Sequence, residues 1–445
     1  MFQDGDTIVA LATPPGRGAL AIVRASGADA WTLAAAVFCA KQPPQPRLAR
    51  VGELVHPGTG EVVDQAVLVL YRSPYSYTGE DMAEFTVHAG PAVVEAALAA
   101  CYAAGARPAE PGEFTWRAML QDKVDLTEAQ AIADLAEART AAARADALRR
   151  LAGELSREVT ACRDAIVRAR AVVEGALEFG EDVDAAEVEI LCATAEDAVR
   201  RLLAHSRERE ALLAGLTVAI AGPPNAGKST LFNRLLGEDR AIVAPSPGTT
   251  RDRLEAPLVL GGVLFRLSDG AGLHDEPAGD VEEEGIRRAR AHVEEAALVI
   301  WVFDGSVPYA GERPPVPPAR LVPVVNKCDL ALAPGWEGVI KSRRALGLSA
   351  RTGEGVDQVV RLLTYRGRGT AAEEKRLSLS ARERRLLDEA AAHLARARAQ
   401  LAVAGVDELA AEELKLAAEA LGKVVGAIPI DELYDEVFSR FCVGK

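Results

Sequence analysis

Apolar positions change their spacing three times along the chain. Up to about residue 120, short β-rich runs (Thr7-Ile8-Val9-Ala10-Leu11, Leu20-Ala21-Ile22-Val23, Ala66-Val67-Leu68-Val69-Leu70 and Phe85-Thr86-Val87) alternate with helical stretches at 29–38 and 91–104, punctuated by Gly and Pro. That pattern predicts a small α/β domain. From Asp125 to about Leu213 the texture becomes Ala, Leu, Glu and Arg with apolar spacings of three and four, which predicts long packed helices. Strand and helix alternation returns from Leu216 to about Thr370, with a Pro-rich stretch at Arg313-Pro314-Pro315-Val316-Pro317-Pro318. After Gly367-Arg368-Gly369-Thr370 the helical texture resumes over 380–405 and 407–425, with no internal repeat or low-complexity tract.

The run Leu216-Thr217-Val218-Ala219-Ile220-Ala221 leads into Gly222-Pro223-Pro224-Asn225-Ala226-Gly227-Lys228-Ser229-Thr230, a G-x-x-x-x-G-K-[ST] phosphate loop between strand and helix. Its glycines let backbone N–H groups curl toward phosphates, the following helix aims its positive end at them, and Ser229 offers a hydroxyl to Mg²⁺. Asn326-Lys327-Cys328-Asp329 follows the buried-strand pattern Leu321-Val322-Pro323-Val324-Val325. Asp329 there accepts the N1–H and exocyclic amine of guanine, a donor pair that adenine lacks, so the nucleotide is GTP. Between these motifs, the loop Ala244-Pro245-Ser246-Pro247-Gly248-Thr249-Thr250 supplies Thr250 as the second Mg²⁺ ligand. Asp269-Gly270-Ala271-Gly272 supplies an outer-shell carboxylate and a γ-phosphate N–H, and Ser349-Ala350-Arg351 supplies backbone N–H to the guanine oxygen. Each alone reads as a surface turn, and their order is what gives them meaning. The expected architecture is multidomain: an N-terminal α/β domain at 1–120, a helical bundle domain split between 121–214 and 371–445, and an inserted P-loop (Ras-like) G domain at 215–370.

Leu273 stands directly after Asp-x-x-Gly, where many GTPases place a Gln that orients the attacking water, and an aliphatic chain has no such capacity. Charge developing on the phosphates also needs a positive group, either an arginine finger or a bound cation. Asn225 has a carbonyl oxygen suited to a monovalent cation, and carbonyls of the loop 244–249 complete the shell because proline keeps its acceptor. The K⁺ ligands expected are therefore Asn225, Ala244, Ser246 and Thr249. Glu282, in Val281-Glu282-Glu283-Glu284-Gly285-Ile286, is the candidate for positioning water, against the plainer reading of this run as a solvated helix start.

The 445 residues suit two to four domains, and 49% hydrophobic with 26% charged residues is ordinary for a globular protein. The longest apolar run, 96–104, is too short for a membrane span, and the N-terminus lacks an export segment, so a cytoplasmic location with no membrane partner is expected. Six scattered cysteines without a C-x-x-C pair argue against zinc and a disulfide framework and read mostly as small buried residues. The net charge of −14 argues against a chain that grips nucleic acid alone. Arg139, Arg144, Arg149, Arg150, Arg157, Arg163, Arg168 and Arg170 cluster among acidic residues, which reads as a solvated helix face.

Across its whole length the chain resembles the MnmE (TrmE) family, the bacterial GTPases of tRNA wobble-uridine modification. The likeness is carried by Asp6-Thr7-Ile8-Val9-Ala10 with Pro14-Pro15-Gly16-Arg17-Gly18, Tyr75-Ser76-Tyr77-Thr78-Gly79-Glu80-Asp81, and Pro111-Gly112-Glu113-Phe114-Thr115 with Lys123-Val124-Asp125-Leu126-Thr127. Gly248-Thr249-Thr250-Arg251-Asp252 and the terminal Phe441-Cys442-Val443-Gly444-Lys445 extend it. Two departures are Gly270, where the family usually has Thr, and a segment before Val281-Glu282 that is one residue longer than usual. The resemblance implies a homodimer, G domains meeting across K⁺-bound nucleotides, and a heterotetramer with the flavoprotein MnmG, which supplies FAD. It implies addition of an aminomethyl or carboxymethylaminomethyl group to C5 of uridine 34 of tRNA, from a one-carbon tetrahydrofolate (5-formyl- or 5,10-methylene-). By matching positions, Arg24, Glu80, Lys123 and Lys445 hold the folate, a carboxylate suiting a pterin edge and cations suiting a glutamate tail. Without the resemblance, Glu80 reads as a turn residue and Arg24 as a strand-end charge. Cys442 is either a redox or nucleophilic thiol or a residue packed beside the folate. Two other classes of function compete: an RNA-binding GTPase switch in ribosome assembly, and a folate carrier under GTP control that works without the flavoprotein.

Overall fold

The computed structural model describes residues 5–179, 185–208, 213–237, 255–269, 293–309, 311, 313–342, 344–371, 377–404, 407–427 and 444. They pack as two compact units, one formed by Met1–Ala133, Arg150–Arg200 and Leu386–Lys445, the other by Asp134–Arg149 and Arg201–Arg385.

The first unit opens with strands β1 (Ile8–Leu11) and β2 (Leu20–Ser26), helix α1 (Ala30–Val37), then β3 (Phe38–Cys39), β4 (Arg50–Val55), β5 (Val62–Tyr71) and β6 (Met82–His88). Helix α2 (Pro91–Ala103) and the short β7 (Arg107–Pro108) complete a seven-stranded sheet of order β3-β4-β5-β6-β2-β1-β7. All neighbours are antiparallel except β1 and β7. Alternation sets the faces: Ala66, Leu68 and Leu70 of β5 are buried with Phe85, Val87, Val23, Leu33 and Ala97, while Gln65, Val67 and Val69 point the other way. β4 escapes the sequence pattern because its run Arg-Val-Gly-Glu-Leu-Val buries only Leu54. Helix α3 (Glu113–Leu120) comes next, ahead of the stretch that reads as helical, and α4 (Leu126–Glu137), α5 (Ala141–Leu151), α6 (Glu154–Phe179) and α7 (Ala185–His205) follow as the three-and-four spacing from Asp125 predicts, most of α5 belonging to the second unit.

In the second unit β8 (Arg207–Glu208) precedes β9 (Leu216–Ala221), α8 (Lys228–Gly237), β10 (Glu255–Leu260), β11 (Val263–Asp269), β12 (Leu298–Asp304) and β13 (Leu321–Asn326). Helix α9 (Trp336–Lys341), β14 (Leu346–Gly347) and α10 (Val356–Ala371) follow, and the six-stranded sheet runs β10-β11-β9-β12-β13-β14. Only the β10–β11 pair is antiparallel, joined through Gly261 and Gly262 at φ +57° and +86°, the left-handed values that a tight hairpin turn requires. Its parallel strands are apolar almost throughout, with Val218, Ile220, Ile300, Val302, Val322 and Val324 buried against Leu231, Phe232, Val359 and Leu363. β9 lies between β11 and β12, so the chain leaves its C-terminal end at the point where strand order reverses, the usual ligand crevice of such sheets. A pairing absent from the sequence reading joins β8 to β15 (Ser378–Leu379), and Ser378 donates through N and Oγ to Asp146 at 3.0 and 2.5 Å.

The closing helices are α11 (Ala381–Ala404) and α12 (Glu408–Val425). Asp407 caps α12 by accepting the Ala410 N–H at 2.8 Å, Leu414, Ala417, Leu421 and Val424 form its buried stripe, and Gly426 ends it at φ +104°. α12 packs along α6, and Arg398 of α11 binds Glu189 and Glu196 of α7 at 2.6 and 2.8 Å. One arginine departs from the solvated-face expectation: Arg150 is fully buried and reaches Gln130 at 3.4 Å. No helix among the described residues is long and apolar enough to cross a membrane. Cys101, Cys162 and Cys192 are buried, and burial pushes the Cys101 thiol up to about 12, whereas Cys39 is exposed.

Candidate functional site

The phosphate loop is shaped by two glycines with no room for a side chain. A Cβ on Gly222, at φ +143°, would lie 2.2 Å from the Val302 carbonyl, and one on Gly227, at φ +92°, would lie 2.2 Å from Asn326 Nδ2. Asn225 also takes a left-handed conformation at φ +60°, which Asn tolerates better than most residues. Ala226 is buried beneath the loop, Ser229 and Thr230 are exposed in the first turn of α8, and Lys228 donates to the Pro223 carbonyl at 2.9 Å. The loop therefore presents main-chain N–H groups and the positive end of a ten-residue helix to the crevice.

On the other side stands the segment after β13. The buried Asn326 amide donates to the Ala226 carbonyl at 2.8 Å, and its oxygen accepts the Ala350 N–H at 2.8 Å, so one side chain ties the phosphate loop to the Ser349-Ala350-Arg351 loop. Arg234 of α8 adds a second tie, donating to the Ala350 and Arg351 carbonyls at 3.2 and 2.5 Å. Lys327, at φ +64°, pairs with Asp304 at 2.6 Å. Burial alone would raise the Asp304 carboxyl, but hydrogen bonds from Lys327 and Ser306 outweigh it and hold it below the usual range. Asp329 is held low by hydrogen bonding with Ser349 and then with Arg351, and so stands ionised.

The structure thus brings together Asn225, Ala226, Gly227, Lys228, Ser229, Thr230, Asn326, Lys327, Asp329, Ser349, Ala350 and Arg351 around one crevice. Asp269 ends β11, beside β9, with its backbone paired to Ile220. Ala244, Pro245, Ser246, Pro247, Gly248, Thr249, Thr250, Gly270, Ala271, Gly272, Glu282, Cys442 and Lys445 lie outside the described residues.

A second constellation is built on the N-terminal sheet. Arg24 donates to Glu84 at 2.8 Å, across its register partner on β6, and reaches the Gly444 carbonyl at 3.4 Å, with its guanidinium 5.4 Å from the Tyr77 ring and 5.7 Å from the Phe114 ring. Gly444, at φ +99°, lies so close to β1 that a Cβ would stand 2.2 Å from the Leu11 carbonyl. Glu80 accepts Ser26 Oγ at 2.7 Å and Arg117 Nη1 at 3.2 Å, and Ser26 in turn meets Thr78 Oγ1 at 2.7 Å. Lys123 is turned to the Pro74 carbonyl at 3.0 Å.

Behind Glu80 is an ionic nest absent from the sequence reading. Arg117 donates to Asp6 and Glu113 at 2.5 and 2.9 Å, and Arg107 donates to the same two carboxylates at 2.5 and 2.6 Å. Glu113 is wholly buried. Burial would raise the Asp6 carboxyl, but hydrogen bonds from Arg107 and Arg117 and their charge carry it below the usual range. Burial likewise opposes the charge of Arg117, and Glu80, Asp6 and Glu113 more than restore it. The one sequence signal for this nest is that Asp6 and Glu113 fall inside the runs Asp6–Ala10 and Pro111–Thr115, with no local pattern joining them.

Residues 7–123 match the family described as GTP-binding protein TrmE N-terminus, and residues 126–442 match the MnmE helical domain. The tRNA modification GTPase MnmE of a Methylobacterium species is 42% identical over 99% of this chain and 100% of its own length. That of Thermus thermophilus is 41% identical over 99% of both. Among solved structures, Aquifex aeolicus Era bound to GDP and aluminium fluoride is 26% identical, covering 34% of this chain and 56% of its own, with a TM-score of 0.25. The chain belongs to the MnmE family and is a GTP hydrolase of tRNA modification.

Proposed function

We propose that this hydrolase is K⁺-stimulated and works as a homodimer with the flavoprotein MnmG, in a heterotetramer that acts on tRNA. The pair adds an aminomethyl or carboxymethylaminomethyl group to C5 of uridine 34, the carbon coming from a one-carbon tetrahydrofolate and the FAD residing on the partner. The proposed domains are 1–120 for folate and dimerisation, 121–214 with 371–445 for the helical part, and 215–370 for GTP. The observation that carries the nucleotide half is the Asn326 side chain, which sets the phosphate loop and the base loop in one frame through bonds of 2.8 Å to each.

In this reading the loop N–H groups and Lys228 hold the β- and γ-phosphates, Ser229 and Thr250 hold Mg²⁺, and Asp329 with Ser349-Ala350-Arg351 reads guanine. Mg²⁺ supplies charge neutralisation. The loop suits a phosphate cradle because Gly222 and Gly227 hold backbone conformations, φ +143° and +92°, that let it curl tightly against Val302 and Asn326 where a Cβ has no room. Asn225, Ala244, Ser246 and Thr249 hold K⁺, and Glu282 orients the water that Leu273 does not. For the folate, Arg24, Glu80, Lys123 and Lys445 are the proposed contacts. The Glu80 carboxylate fits a pterin edge because Arg117 and Ser26 fix it in place, and the Tyr77 and Phe114 rings flank Arg24. When bound, the folate supplies the one-carbon unit. Cys442 belongs to the same proposed site.

Reconstitution tests the reading directly. The protein, the flavoprotein, tRNA, GTP, methylene-tetrahydrofolate and glycine as the amine are combined in K⁺ or in Na⁺, with phosphate release and nucleoside mass recorded together. Turnover on the order of tenfold or more faster in K⁺ is expected, a modest share of what a transition-state cation provides. Modified uridine should vanish when the folate or the flavoprotein is omitted. Equal rates in the two salts overturn the cation assignment, and modification surviving either omission overturns the partner or the carbon source.

A further inference from the structure

Asp329 is the carboxylate on which base recognition rests, and its Oδ2 already accepts two N–H bonds from one planar group. They come from the Arg351 guanidinium, through Nη2 at 2.7 Å and Nε at 3.1 Å. A guanidinium edge and the N1–H and amine edge of guanine are the same chemistry, two coplanar N–H donors offered to a carboxylate. We propose that the Arg351 side chain is a stand-in for the base, competing with guanine for the Asp329 carboxylate. The proposal rests on the guanine reading of this crevice and concerns what sets its affinity.

Three features support an exchange of donors rather than a fixed structural bridge. The loop is held without the Arg351 side chain, by Arg234 on the Ala350 and Arg351 carbonyls and by Asn326 on the Ala350 N–H. The side chain is therefore able to swing away while the backbone N–H groups stay in place. Exposure is asymmetric: the Asp329 side chain is 11% exposed and that of Arg351 76%, so a fixed acceptor is covered by a donor standing in solvent. The pair also leaves little behind when it opens, because Arg351 returns to water and the incoming base replaces it on the carboxylate.

Two expectations then oppose each other. Removing a cation near a triphosphate weakens binding if Arg351 acts by attraction, and tightens it if Arg351 acts by competition. An exposed ion pair of this kind changes a competing equilibrium by roughly two- to fivefold.

The test uses the full-length protein and a fluorescent GDP derivative, comparing Arg351→Ala and Arg351→Lys with the parent. Arg351→Ala should bind roughly two- to fivefold tighter, through faster association, and its advantage should shrink as salt screens the parent's ion pair. Arg351→Lys keeps the charge without the planar fork and should fall between. Equal or weaker binding by Arg351→Ala, or a gain that comes only from slower dissociation, overturns the proposal. Asp329→Asn separates this from failure of the guanine reading: that variant should prefer xanthosine diphosphate, and unchanged preference for GDP overturns the reading itself. In the Asp329→Asn background the Arg351→Ala change should leave xanthosine diphosphate affinity unaltered. A gain surviving there shows that Arg351 acts by some other route and overturns the competition.

Discussion

Between β9 and α8 the chain prepares for charge with main-chain groups, whereas beside β1 and β2 it uses side chains drawn from separate segments, Asp6, Ser26, Glu80, Arg107 and the turn from Glu113 to Arg117. The first arrangement is contiguous in sequence and needs space: its glycines stand where a Cβ would collide with Val302 or Asn326. The second is dispersed and needs balance, with the carboxylates of Asp6, Glu80 and Glu113 meeting the guanidiniums of Arg107 and Arg117. A backbone site therefore fails when atoms are added. A side-chain nest fails when a charge is taken away.

The largest effect expected from this contrast is at Gly227. Gly227→Ala places a methyl 2.2 Å from Asn326 Nδ2 at a φ of +92°, so either the loop shifts or the Asn326 amide moves. Moving it breaks bonds to Ala226 and Ala350 that are buried, each worth about 1–3 kcal/mol when left unmade, with about 1–3 kcal/mol more for the strained conformation. GDP affinity by calorimetry should fall by more than about 100-fold, the equivalent of roughly 3 kcal/mol, with GTP turnover lost in parallel. Affinity within about tenfold of the parent would mean that the loop adapts and that the contrast with the N-terminal nest is overstated.

Arg117→Met is the corresponding insult to the nest. It leaves the wholly buried Glu113 with Arg107 as its cationic partner and strips Glu80 and Asp6 of one donor each. Removing one partner of a buried ionic group costs about 3–5 kcal/mol, which denaturant unfolding of the N-terminal signal should report. The added variant Glu113→Gln should recover part of that loss, because it removes the charge left unbalanced. If the double variant is no more stable than Arg117→Met alone, packing rather than charge governs the site.

How much of each region was legible follows from the same distinction. Residues 222–230, 269–272, 326–329 and 349–351 announce a nucleotide site because their chemistry is local: a strand, a tight turn and a helix start are encoded within a few residues each. The seven-stranded sheet is legible only where β-rich runs stand out, at β1, β2, β5 and β6, whereas in β4 Gly52 and Glu53 interrupt the apolar residues and a single buried Leu54 gives no period. The nest was illegible. Arg107 stands 101 positions from Asp6, and Arg117 stands 37 from Glu80. The sheet order that puts β7 beside β1 brings Arg107 to Asp6, and α3 carries Arg117 to the same carboxylate. Asn326 shows the intermediate case: the motif marks it, but nothing in the motif says that its side chain serves the protein's own loops.

The smallest effect is a titration, and it separates the two regions by pH. A carboxyl whose native value lies below its unfolded one contributes stability that is complete above the unfolded value, about 4, and is lost as pH falls through the native value. Asp6 is such a group: burial works against its charge, and Arg107 and Arg117, charged at every accessible pH, more than reverse that. Asp6→Asn removes the titration while keeping a side chain of similar size. At pH 7 the variant should melt below the parent. As pH falls below about 4 the parent should lose stability faster, so that the two melting curves converge in acid. Asp64 and Glu413, also held low, remain in both proteins and cancel in the difference. In the second unit Asp304 is held low by Lys327 and Ser306 against its burial, and it is likewise untouched by the substitution. A gap that stays constant from pH 7 to about pH 3 would mean that Asp6 contributes through packing alone, and the nest would then depend on shape as the phosphate loop does.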